Sequence, residues 1–524
     1  MPIISLPLTD PAQAGVGLNL DLPASELPPK AWSRGQNVRF NAKGIRPTRA
    51  DRLLVSSGVA FHDASAALDV SSDTPLWAVG ANAAVYALNA VTLTDITRVS
   101  GPYTGVTTDR WRFANLHGLL FLTNGVDKPQ VWNPMTVGTK LIDLPNWQAT
   151  VRCNVLRPFK NFLVALNILK GSTRYNSMVK WSHPADPGLV PPSWDELDTT
   201  KDAGEYALSE TLGAVVDLVP LRDVAIVYKE DSVWAMQYVG GAYIFKFSKL
   251  FDTFGIPQAN CAVEFLPGQH ICFTGDDLIL HNGQSAASLA DNRVRSLLRG
   301  LSKQSSMSSF LTLNMTETEV WLCLAVKTSV PNAVDTAVIY NWTAKTFSIR
   351  DFSLLCYAIG AGRLLSLTDT WTTITSTWET EGRTWDEIGK SETINRLLGV
   401  SPGGLYQMDA DNNRTAPTLC ERTGIGVPMR SGQPPDTTAM KFLKRIWPRV
   451  VGETGDILTF TLGLQNFPDQ DIVWKEPKTY TIGVTKKLDF TANCRLFGLR
   501  IESAGGGPWT LLGLDAEVEF SGEN

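Results

Sequence analysis

The stretch Trp111–Pro134, WRFANLHGLLFLTNGVDKPQVWNP, limits most strongly what this chain can fold into. The apolar run Leu116–Thr123 reads as one strand and Pro129–Asn133 as a second. Between them lies Asn124-Gly125-Val126-Asp127-Lys128, a turn whose Asn-Gly pair accepts positive φ at little cost. Looser versions recur on both sides: Leu76–Asn89, Asn161–Asn167 with Met178–His183, and Val224–Tyr228 with Ser232–Tyr238. They continue as Ile271–Thr274 with Leu278–Asn282, and as Val320–Val326 with Ala337–Trp342 and Thr346–Arg350. A spacing of roughly 40–60 residues is close to the four-strand blade period of β-propellers. The inference rests on rhythm rather than identity, and β-sandwiches in series would produce a similar rhythm.

Composition points the same way. The chain has 524 residues, long enough for two or three domains, and holds 16 Trp, 42 Gly and 30 Pro. Those proportions suit short strands and tight turns. One segment, Asn292–Ser302, has helical spacing, with Val294, Leu297, Leu298 and Leu301 on one face. The expected class is all-β. A net charge of −5 gives no global basic footprint for holding nucleic acid. The start, MPIISLPLTD, has no basic n-region, and no apolar run approaches a membrane span. Seven scattered cysteines without a C-x-x-C pair read as reduced core residues of a protein made in a cytosol.

Three regions follow from texture. Residues 1–52 are an extended N-terminal docking arm, spaced by Pro23, Pro28 and Pro29 and anchored by Trp32, Val38 and Phe40. So little apolar surface cannot make its own core, so the arm is expected to lie on another domain or subunit. Residues 53–411 are the propeller, of six to eight degenerate blades, in which Asn395–Met408 is expected to close the last blade on the N-terminal strand. Insertions are expected at 182–203, broken by Pro184, Pro187, Pro191 and Pro192 and short of apolar anchors, and at 368–391, with Trp371, Trp378 and Trp385 spaced by seven. Residues 412–524 alternate as about seven strands and read as a β-sandwich.

The order of motifs carries a resemblance. Gly17, Asn19, Asp21-Leu22-Pro23, Glu26-Leu27-Pro28, Ala31-Trp32, Asn37-Val38-Arg39-Phe40 and Gly44 are followed by TNGVDKPQVWNP, FTGDDLILHNG and IYNWTAKTFSIRD. FLKRIWPRVVG, FGLRIES and WTLLGLDAEVEF complete the series. This order resembles the tail nozzle proteins of short-tailed bacteriophages (podoviruses), also called tail tubular B-like or packaged-DNA stabilisation proteins. The resemblance implies a structural virion protein of the tail, made in the bacterial cytoplasm and forming a hexameric ring around the DNA exit channel. The partners it implies are adaptor or head–tail connector proteins above and tail fibre, plug or needle proteins at the sides or tip. Double-stranded DNA would pass without tight binding.

No catalytic residue and no cofactor site is expected. The S-x-D-x-G-x-x-W box of sialidase propellers is absent, and Asp276-Asp277 sits where a hairpin turn wants polar residues. Glu379 and Glu381 form a second carboxylate pair, and Trp194-Asp195 and Trp385-Asp386 do not recur at a WD40 interval. Asp409, Asp411 and Asn413 have the alternate spacing of a Ca²⁺ loop but lack its glycine and distal Glu, leaving them a weak metal candidate. His117 and His281 read as packed, hydrogen-bonded imidazoles in blade strands, and Gly505-Gly506-Gly507 precedes a strand rather than a helix. The preferred function is the nozzle ring, channel wall and gate for genome retention and ejection. The alternative is a carbohydrate-binding or depolymerising tail or surface protein, with a scaffold propeller for protein partners third.

Overall fold

Within Trp111–Pro134 the first turn comes one residue pair earlier than the hydrophobic run suggests. His117 and Gly118 adopt φ of 50° and 87°, so Leu116 pairs with Leu119 and the run splits into two strands, Arg112–Leu116 and Leu119–Thr123. Two successive positive φ values match the twist of a two-residue hairpin, which the apolar flanks had concealed. His117 is therefore a turn residue, not a strand residue. The Asn124-Gly125 turn follows as expected, with Asn124 Oδ1 accepting from the Val126 and Asp127 N–H groups.

A computed structural model describes residues 3–6, 17–28, 30–41, 44–66, 76–136, 138–241, 243–365, 393–427, 436–468 and 470–520. Among these, seven antiparallel four-stranded sheets follow one another along the chain. Blade 1 starts at Phe61–Ala66, blade 2 at Arg112–Leu116, blade 3 at Val151–Phe159 and blade 4 at Val215–Leu221. Blade 5 starts at Ala262–Leu266 and blade 6 at Phe310–Asn314. Blade 7 takes Ala358–Leu365, Thr393–Ser401 and Gly404–Asp411, and its fourth strand is the early segment Ala50–Ser56, with Tyr406 opposite Leu53. The ring is thus closed by strands from opposite ends of the propeller sequence. It is a seven-bladed β-propeller.

Most blade contacts bury an apolar cluster of their own. Trp111 and Leu122 lie between blades 1 and 2, Trp181 and Trp234 between 3 and 4, and Trp77 and Leu398 between 7 and 1. The contacts of blades 4, 5 and 6 merge with a larger core. That core includes Leu443, Phe490, Leu511 and Val518 of one six-stranded sheet, and Cys420, Phe460, Leu499 and Ile501 of another. The N-terminal arm is divided between these two sheets. Val38–Asn41 and Gly44–Pro47 extend the first beside Trp509–Phe520, and Arg34–Gln36 pairs with Thr418–Ile425 in the second. Ile3–Leu6 also pairs with Trp509–Phe520.

Helix is confined to Arg295–Arg299 and Lys303–Ser308 among the described residues, close to the segment whose spacing predicts it. Asp21 from the arm accepts the Arg295 and Ser296 N–H groups and so caps the first helix. No described helix is long and apolar enough to cross a membrane. All seven cysteines are buried and free of disulfides, and burial pushes every thiol upward, Cys153 and Cys261 to about 12. Residues 182–203 form a long loop on blade 3, but Trp194 fastens it, buried at 4.5 Å from Trp147. Residues 368–391, with Trp371, Trp378, Trp385, Glu379 and Glu381, lie outside the described residues, as do 428–435.

Candidate functional site

Where the arm meets the propeller, five charged groups are drawn out of water together. Arg39 stands on the arm strand Val38–Asn41, Glu319 and Arg350 on blade 6, and Asp409 and Asp51 on the strands that close blade 7. The Arg39 guanidinium makes two forked contacts. Nε and Nη2 donate to Glu319 at 2.7 and 3.0 Å, and Nη1 and Nη2 donate to Asp409 at 3.0 and 2.8 Å. Arg350 donates to Asp409 at 3.3 Å and to Asp51, and its guanidinium stacks 5.0 Å from the Trp321 ring centre. Backbone groups complete the shell: the Arg49 N–H donates to Asp409 and the Asp409 N–H to Asp51, both at 2.9 Å.

The electrostatics follow from this saturation. Burial alone would raise the Asp409 carboxyl, but Arg39 and Arg350 outweigh it and hold that carboxyl well below the usual range. Burial would likewise weaken Arg39, and Asp409 and Glu319 reverse the sign, raising it well above its ordinary value. A carboxylate with both oxygens on arginines cannot act as a general acid near neutral pH, and two guanidiniums repel a cation. The junction can hold three parts of the chain together, but it offers no reactive group.

The weak metal candidate resolves accordingly. Asp409 is committed to the junction, Asp411 lies 3.6 Å from Arg52, and Asn413 is exposed, so the three do not converge on one point. Among the described residues no group of three His, Cys, Asp or Glu side chains could hold a metal ion. Asp276 and Asp277 are turn residues: Thr274 bridges them, and Asp277 also meets Ser288 and Arg295. His281 is packed, as expected, sharing the Tyr228 hydroxyl with His270 at 2.6 and 2.8 Å. Burial, with His270 alongside, pushes His281 down to about 3. Gly506 and Arg414 exchange backbone hydrogen bonds at an isolated bridge, which ties the glycine triplet to the chain that follows blade 7.

Fold and junction define a class: a closed propeller whose ring is keyed to two further sheets by its own N-terminal arm. No protein-family profile matches the chain, and no curated protein does. Among solved structures it is similar to BBS1N in complex with ARL6DN, at 9% identity and a TM-score of 0.39, over 70% of this chain and 96% of that one. It is also similar to the WD40 β-propeller domain of Doa1, at 9% identity and a TM-score of 0.35, over 68% of this chain and 96% of that one. The RRP9 WD40 repeats give 10% identity and a TM-score of 0.37, over 60% of this chain and 88% of that one. These likenesses concern the fold alone.

Proposed function

We propose that this chain is a structural subunit of a short phage tail, the wall of a nozzle ring through which the genome is retained and then passes. The observation that supports it most is the Arg39 junction together with the core shared by blades 4 to 6 and the two six-stranded sheets. A recognition module on a flexible tether has no need of such welding. A wall that must keep its shape beside a moving polymer does. The junction residue Arg39 also belongs to the N-V-R-F motif that carries the family resemblance. In this reading six copies close a ring, connector proteins seat above it, and fibre or plug proteins bind at its sides or tip. The experiment is the mass of the purified full chain in solution, run beside a glycan array. Discrete high-order rings with no glycan signal support the nozzle; a glycan-binding monomer or trimer overturns it.

A further inference from the structure

Along the propeller axis, charges are unevenly matched. The first strands of neighbouring blades lie side by side, and between them is a cavity of about 290 Å³. Its charged lining is Asp63, Arg110, Arg112 and Arg157. Arg157 is fully used. It donates to Asp217 at 2.7 and 3.1 Å, to Asn260 Oδ1 at 2.6 Å and to the Phe113 carbonyl at 2.9 Å. Asp63 is also fully used, accepting from Arg110 Nε and Nη2 and from the Trp111 N–H at 2.8 Å.

Arg112 is left over. It is only 7% exposed, its nearest carboxylate oxygen is that of Asp63 at 3.9 Å, and it makes no hydrogen bond among the described residues. Beside it, Arg110 Nη1 is buried without a partner. One long ion pair is little for a nearly buried guanidinium, and buried donors without acceptors are rare in folded chains. Burial, with Arg110 and Arg157 close by, pushes Arg112 down to about 10. Two carboxylates, Asp63 and Asp217, face three guanidiniums on this axis, so one negative charge is missing. A second cavity, which Arg110 and Arg112 also line, is bordered by Asp109 and Glu230, which would repel an anion. The missing charge belongs on the Asn260 side.

We propose that the axial cavity binds a small oxyanion of the phosphate or carboxylate type, gripped by the Arg112 guanidinium, with the charge of Arg110 beside it. Planar forked donors suit oxyanions rather than halides.

The test is a calorimetric titration of the full chain with inorganic phosphate in chloride buffer at fixed ionic strength, with thermal unfolding alongside. Wild type is expected to take one phosphate per chain and to unfold at higher temperature with it. Arg112→Met is expected to weaken binding about 10- to 100-fold, the range for lost charged hydrogen bonds. Without phosphate it should unfold at or above the wild-type temperature, because no bare charge remains buried. Arg112→Lys, which keeps the charge but loses the fork, should bind with intermediate affinity, and exposed Arg174→Met should bind as wild type. Absence of phosphate binding by wild type overturns the proposal. So does unchanged binding by Arg112→Met, or failure of that variant to fold while Arg112→Lys folds without binding.

Discussion

Taking the guanidinium away from Arg39 would leave Glu319 and Asp409 facing each other with almost no water to screen them. Arg39→Met is therefore expected to cost about 3–5 kcal/mol, the range for breaking a buried pair. A denaturant titration with unchanged slope measures it. Arg445→Met, whose side chain is 39% exposed beside Glu517, should stay within about 1 kcal/mol. Acid acts on a different set of groups. His281, held down to about 3, and His270 and His62, which burial also lowers, refuse protons that the unfolded chain accepts. Their contribution is complete above about pH 6.5 and is lost as pH falls toward the folded values. Asp409, whose carboxyl is lowered, adds a second loss only below about pH 4. Denaturation midpoints across pH should thus decline from about 6.5 downward, with a shallower decline in His281→Gln; a flat wild-type profile would contradict buried neutral imidazoles. Arg39 was visible in the sequence as a motif residue, yet its role was not. Glu319 and Asp409 lie 280 and 370 residues away, and nothing local in D-A-D-N-N separates an ion-pair carboxylate from a calcium-loop one.

The closing strand Ala50–Ser56 depends on a close backbone approach at Gly404. Its φ is 142°, and a Cβ there would meet the Val55 carbonyl oxygen at 2.1 Å. Gly404→Ala is expected to destabilise by more than about 1 kcal/mol and to speed amide exchange selectively in Ala50–Ser56. Uniform acceleration over all blades would argue against local closure. Much of this level was legible. Second and third blade strands such as Val224–Lys229 and Val233–Tyr238 are continuous apolar runs, and the C-terminal strands Leu496–Ser503 and Trp509–Phe520 fall where alternation puts them. The outermost strands escaped, because Thr92–Asp95, Ile142–Asp143 and Ala286–Ser288 are short and largely exposed, with no alternation to read. Trp194 was misjudged for a related reason: an aromatic among prolines gives no periodic signal, although here it fastens the loop.

At the scale of the molecule, the all-β class and the radial repeat could be read from rhythm, but the count of seven blades could not. Blade 7 is assembled from both ends of the propeller sequence, which no local period reveals. Charge is spread with 52 acidic against 47 basic residues. The basic stretch Lys441–Arg449 is largely answered by its neighbours, since Arg445 meets Glu517 and Asp489, and Lys444 meets Glu519. On the proposed function, a wall that held phosphates firmly would brake the polymer. The assembled chain is therefore expected to bind duplex DNA no more tightly than the non-specific range of roughly 10⁻⁴–10⁻⁶ M at physiological salt. Titration of labelled duplex at two salt concentrations checks this, and tight binding with a steep salt slope would mean a basic lumen. The proposed ring is tested by electron micrographs of the purified full chain. Class averages should show a six-fold ring with an open centre; a field of single propeller discs with no rotational assembly would contradict it.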